Sequence, residues 1–267
     1  MKKIIAVAFL LVQLVGLHAQ KGFHLGVSGT FNSTWILNQN NYQNLSAYTQ
    51  SYVRTSEMDY RYTWGGSTGI VMGYDFTKNV GIRTQVQYNF AGQRYEDAFY
   101  GPAIVGTDTF GTTANPTKFN YVNAKRNVKL QYVQIPLFFK FTSTKGRVAK
   151  FFFCIGPQVG IRTSVFEEIK VADQVYTVPN GLTPSQKFKT VDVGAALQLG
   201  TDIYCTDHLY VEVAVSAYGG LNDLNGKALK DIEWYSQNDS EYQKSYNVQG
   251  GLMVGLHYIF GQGRIDY

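Results

Sequence analysis

The chain is poor in cysteine, histidine and charge, and it has only one long apolar run. Two cysteines in 267 residues cannot make a disulfide framework. Hairpin register sets Cys154 opposite about residue 197, which leaves Cys205 about 25 Å away along the strand. A disulfide needs Cα atoms within about 7 Å, so both thiols are read as free. Four histidines leave little for acid–base or metal chemistry. His208 follows Asp207 in a tight turn and reads as a solvated turn residue. His24 and His257 fall near the seam between the first and last strands, without the further ligands a metal needs. No catalytic, cofactor-binding or metal residue is assigned, and the chain is not read as an enzyme.

Charged residues are 16% of the chain, against about 25% in ordinary soluble domains. The net charge of +5, two lower without Lys2 and Lys3, is too small to imply nucleic acid. The one apolar run, Ile4–Leu17, is short of the ~20 residues a spanning helix needs. With Lys2 and Lys3 before it and Ala19 at a cleavage position, residues 1–19 read as a secretory signal peptide. Residues 20–267 are then the exported domain. A membrane leaves no open sheet edge satisfied, so a spanning chain without apolar helices must close into a barrel.

What the chain does have is alternation. Val80–Phe90 places Val80, Ile82, Val86, Tyr88 and Phe90 on one side and Gly81, Arg83, Gln85, Gln87 and Asn89 on the other, the period of a strand with two environments. Seven further segments behave alike: Gly22–Asn32, Ser67–Phe76, Lys129–Phe141, Phe151–Arg162, Thr190–Ile203, Leu209–Tyr218 and Tyr246–Phe260. Leu130 and Tyr132 are out of phase with the lower half of their segment, which a bulge near Tyr132–Val133 would reconcile. Tight turns alternate with long polar connections at 33–66, 92–128, 163–189 and 219–245, as in bacterial outer-membrane barrels, where the long loops are extracellular.

Three features turn the apolar face toward lipid. The other face is rich in Gly and Gln, with charges that can pair across a lumen barely wide enough for side chains. Arg83, Lys140 and Arg162 are expected to meet Asp192, Asp202 and Glu212 there. Aromatics gather at both ends of the apolar face, like interfacial girdles. The segments exceed the usual strand length of about 5–6 residues. The fold expected is all-β: a closed, antiparallel, up-and-down transmembrane barrel of eight strands in the cell outer membrane. With the apolar face turned inward instead, the same alternation would make a soluble, lipocalin-like ligand-binding barrel.

The segment YVQIPLFFKF, Tyr132–Phe141, resembles the Y-x-x-I-P-L-x-x-K strand of small outer-membrane β-barrels of the Bacteroidota type, the PorT-like or porin-family barrels. CIGPQVG (Cys154–Gly160) resembles their next strand, and VDVGAALQLGTDIY with HLYVEVAVSAYGGLNDL (Val191–Leu224) their following hairpin. The resemblance implies a structural or interaction role, with PorT-like members assisting protein secretion. A narrow or gated porin for small solutes is the alternative. The partners implied are outer-membrane lipid, the barrel-assembly machinery during insertion and a protein-secretion complex. The segment Tyr246–Phe260 resembles the terminal strand that the assembly machinery reads, followed here by Gly261–Tyr267.

Overall fold

The structure, a computed structural model, describes residues 22–38, 53–54, 59–104, 114–146, 148–171, 174–176, 183–230 and 244–260. The expected signal segment 1–19 and the tail 261–267 lie outside the described residues. Eight long strands form the wall: β1 (Phe23–Leu37), β4 (Trp64–Asp75), β5 (Val80–Ile104), β6 (Ala114–Thr142), β7 (Ala149–Val171), β9 (Val191–Tyr204), β10 (Leu209–Gly220) and β11 (Tyr246–Ile259). Each pairs antiparallel with the next along the chain, and β1 pairs with β11 from His24↔Ile259 to Leu37↔Tyr246, so the sheet closes. Three short strands lie outside this ring. The strands β2 (Val53–Arg54) and β3 (Asp59–Arg61) pair with β5, and β8 (Gln174–Tyr176) pairs with β7.

The apolar face points out. Phe151 is 69% exposed, Leu199 62% and Phe31 59%, whereas Arg83 and Glu212 are buried. On β7 the outward Phe151, Phe153, Ile155, Val159 and Ile161 are all exposed. This run of ~10 residues, at about 3.3 Å each and a tilt of ~40°, gives a band about 25 Å tall, the height of a lipid-facing belt. Rings edge this band at both ends. Phe23 lies 5.5 Å from Phe260 and Phe141 lies 6.4 Å from Phe153 at the short-turn end. At the other end Phe31 stacks on Trp64 at 5.1 Å and Tyr88 meets Phe90 at 5.2 Å. A lipocalin-like barrel would hide these side chains, and that alternative is set aside.

All eight expected strands are present, and several continue well past the apolar band. Most of the connection expected at 92–128 is strand, because β5 runs to Ile104 and β6 starts at Ala114. Similarly, β7 runs to Val171, into the connection expected at 163–189. The out-of-phase half of β6 has a different cause from the bulge expected at Tyr132–Val133. Val128, Leu130, Tyr132, Gln134, Pro136 and Phe138 all face inward in one phase. What changes is the chemistry of the inside, where Val128, Leu130 and Tyr132 join a buried apolar cluster above the lipid band. The bulge is on β7, where Thr163 is the extra residue between Gln131↔Ser164 and Tyr132↔Arg162. Both cysteines are free, with Cys154 opposite Gln198.

Pro136 interrupts the β5–β6 ladder between Thr84↔Leu137 and Gln87↔Gln134, since it has no N–H to donate. The Thr84 hydroxyl donates to the Pro136 carbonyl at 2.9 Å and so supplies a bond at the gap. The variant Thr84→Val keeps the shape and removes this donor. It should cost about 1–2 kcal/mol, read as a lower urea midpoint for folding in lipid vesicles.

Candidate functional site

The inside of the barrel is built in three tiers, and the lowest is ionic. Alternation points Arg83 of β5, Lys140 of β6, Asp202 of β9, Glu212 of β10 and His257 of β11 into the lumen, all buried. Arg83 Nη1 donates to Glu212 Oε2 at 2.5 Å. The strands β5 and β10 are four apart in the ring of eight, so this pair spans the lumen. Lys140 Nζ donates to Asp202 Oδ2 at 2.6 Å. His257 Nε2 sits 3.1 Å from Glu212 Oε2, and its ring stacks on Tyr210 at 4.6 Å. His24 Nδ1 is 3.8 Å from Asp75 Oδ2. Lys140 lies over the rings of Phe152 and Tyr210 at 5.1 and 5.5 Å. Charges held this far from water persist only when paired, and here each cation meets a carboxylate.

Amides fill the middle tier. Asn32 Nδ2 donates to Asn89 Oδ1 at 3.1 Å, Asn89 Nδ2 to Gln249 Oε1 at 3.2 Å, and Gln87 Nε2 to Gln134 Oε1 at 3.1 Å. The cavity among Asn32, Gln87, Gln134, Gln158, Gln198 and Gln249 is about 30 Å³, room for one or two waters.

The top tier is a folded cap. Helix α1 (Pro184–Lys187) and the segment leading into helix α2 (Lys227–Lys230) cross the mouth. Phe188 bridges to Asn225, Lys189 N–H donates to Leu224 O at 2.8 Å, and Leu224 N–H donates to Ser245 O at 2.8 Å. Phe188 and Leu224 pack with Ile36, Ala91, Tyr95, Val128, Leu130 and Tyr132 in one buried cluster. Asp223 Oδ1 accepts from Asn225 N–H at 3.0 Å and Ser245 N–H at 3.1 Å. Glu167 of β7 accepts from Lys187 Nζ at 2.8 Å and from Arg126 Nε of β6.

Of the six expected lumen charges, Arg83, Lys140, Asp202 and Glu212 come together as two pairs. Arg162 and Asp192 do not meet. Arg162 sits at the rim and donates to the carbonyls of Phe188 at 2.7 Å and Ser185 at 3.0 Å, which fastens α1. Asp192 accepts from Asn247 Nδ2 at 3.1 Å instead. The bulge at Thr163 changes the register beside Arg162, which a strictly period-two reading cannot anticipate. Sequence reasoning missed Arg126, Glu167, Lys187, Phe188 and Leu224. All five lie in stretches read as polar loops, where Phe188 and Leu224 were the available signal.

The cap ion cluster is acid-sensitive. Burial alone would raise the Glu167 carboxyl, but Arg126 and Lys187 outweigh it and hold the carboxyl below its ordinary 4.5. A carboxyl depressed by folding stabilises the fold above its unfolded value, and that stability is lost as pH falls through the folded value. Amide protection factors in residues 183–190 and 221–226 should therefore fall below pH 4.5 while those of the wall strands hold. The variant Glu167→Gln should show the lower protection already at pH 7.

No curated protein matches the chain. Among solved structures it is similar to Neisserial surface protein A (12% identity, 90% of this chain and 97% of that chain, TM-score 0.43). It is also similar to the outer membrane protein OprG from Pseudomonas aeruginosa (11%, 90% and 96%, TM-score 0.38) and to Ail, the attachment invasion locus protein of Yersinia pestis (8%, 89% and 99%, TM-score 0.32). The model of the outer membrane protein β-barrel domain matches residues 18–226. That match covers most of a chain whose eight strands close with their apolar face outward, and the protein belongs to this family of small outer-membrane β-barrels.

Proposed function

We propose that the protein is a sealed barrel that acts through its surfaces and not as a conduit or an enzyme. One observation carries this reading: the lumen is closed twice, by the charge tier of Arg83–Glu212 and Lys140–Asp202 and by the cap of Phe188 and Leu224. An eight-stranded wall leaves an interior that side chains fill. The three described histidines have structural roles. His208 stacks on Tyr258 at 5.8 Å, and His24 and His257 are buried in the ionic tier.

What the wall displays is the β5–β6 hairpin, which rises past the lipid band at the long-connection end. We place this end outside the cell and read the hairpin and cap as the docking face for a protein partner. The PorT-like resemblance of Tyr132–Phe141 and Val191–Leu224 makes a secretion complex the partner to test. Purified protein in a planar bilayer should give no steady conductance, and a stable open channel would establish the gated-porin alternative. Deleting the gene should deplete particular exported proteins from the medium; an unchanged exported proteome would remove the secretion role.

A further inference from the structure

Above the lipid band the described charges on the outer surface of the wall gather on one flank, with Lys244 at the entrance to β11 the exception. Beyond Phe90 of β5, the outward residues on β3, β5, β6 and β7 include Arg61, Arg94, Lys125, Lys129 and Lys170, all exposed. On the opposite flank, the described residues at the tops of β10, β11 and β1 include Ala217, Val248, Trp35 and Leu37, without charge. The cationic flank is also unfavourably paired with itself. Arg61 sits directly across from Arg94, and Lys125 directly across from Lys170. Like charges facing each other across strands destabilise a sheet. Carboxylates answer one member of each like pair: Glu96, directly across from Lys125, pairs with Arg61 at 2.9 Å, and Glu168 pairs with Lys170 at 3.0 Å. Among the described side chains, Arg94, Lys125 and Lys129 make no ion pair, although Lys125 has Glu96 across from it. Lys129 lies 5.7 Å over the ring of Phe166, itself half exposed.

The position of this flank says what meets it. It continues the lipid-contacting face of the same strands, outward and a few residues beyond the aromatic girdle, where the headgroup layer lies. We propose that Arg94, Lys125 and Lys129 form a binding site for the phosphorylated sugar headgroups of outer-leaflet glycolipid. Their charges set the phosphates, and Phe166 supports the Lys129 end. The site rests on the wall alone and stands whether or not the lumen conducts.

Native mass spectrometry of the folded, unheated protein in detergent tests it, with diphosphoryl lipid A and its dephosphorylated form as probes. The phosphorylated lipid should bind more tightly, and added salt should weaken it. The variant Arg94→Gln/Lys125→Gln/Lys129→Gln should lose about fivefold in affinity per residue. The variant Lys78→Gln/Lys145→Gln, at the short-turn end, should bind as the parent does. Millimolar inorganic phosphate should not displace the lipid. The gel mobility of the unheated triple variant reports its folding, and the comparison of the two lipids needs no variant. Equal binding of both lipids, undiminished binding by the folded triple variant, or displacement by phosphate alone would each overturn the proposal.

Discussion

Glu212→Ala should be the most damaging single substitution in the wall. It removes the acceptor for Arg83 at 2.5 Å and leaves His257, 3.1 Å away, without its carboxylate. The Arg83 guanidinium, fully enclosed, would then face the Lys140 tier with no counter-charge. Breaking a buried pair by removing one partner costs about 3–5 kcal/mol. That is a large part of the ~5–15 kcal/mol that holds a typical fold together. The expected result is a marked drop in the urea midpoint for folding in lipid vesicles, followed by the mobility difference between unheated and boiled samples. The double variant Arg83→Met/Glu212→Met separates pairing from packing. Replacing both charges with apolar groups of similar volume is often near neutral, so the double variant should be more stable than Glu212→Ala alone. If the two variants lost stability equally, the pair would matter only as filler.

The eight strands and the direction of their faces were legible because lipid imposes one rule on every strand: apolar outward, polar inward. Val86 and Phe90 against Arg83 and Gln85 carry that rule without any tertiary information. The rule stops at the edge of the membrane, and the reading failed there. Above the band, Leu130 and Tyr132 are apolar yet inward, because they pack on Phe188 and Leu224 of the cap. Arg94 and Lys129 are charged yet outward. A pattern whose sign reverses partway along one strand looks like a slipped phase or a loop, which is why residues 92–128 read as a connection. Two of the three lumen pairs expected by charge were legible in kind, since a buried Arg or Lys must find a carboxylate. The third failed at Arg162, where Thr163 adds a residue and the side chain turns to the carbonyls of α1. The cap itself depends on contacts between residues 183–190, 221–226 and the upper wall, which no local period encodes.

Two stacked closures make a strong statement about conductance, because neither should open the barrel alone. The variant Phe188→Asp/Leu224→Asp puts two carboxylates into the apolar cluster, where burying them unpaired is prohibitive, so the cap should swing out. The lumen below would still hold Arg83, Glu212, Lys140 and Asp202, and a bilayer should stay silent. The variant Arg83→Ala/Glu212→Ala/Lys140→Ala/Asp202→Ala removes both charge pairs together, leaving His257 without Glu212, but the cap would remain seated on Ile36, Tyr95 and Val128. That bilayer should also be silent. Only the combined variant removes both obstacles, and it should show steady ion current well above the background of the other two. Current from the cap variant alone would mean that the charge tier does not seal, and the barrel would then be a pore gated by its cap. Silence from all three, with the combined variant folded by its gel mobility, would mean that the amide tier of Asn32, Asn89, Gln134 and Gln249 is itself a third barrier. A lumen closed at three levels would leave the outer surface as the working part of the molecule.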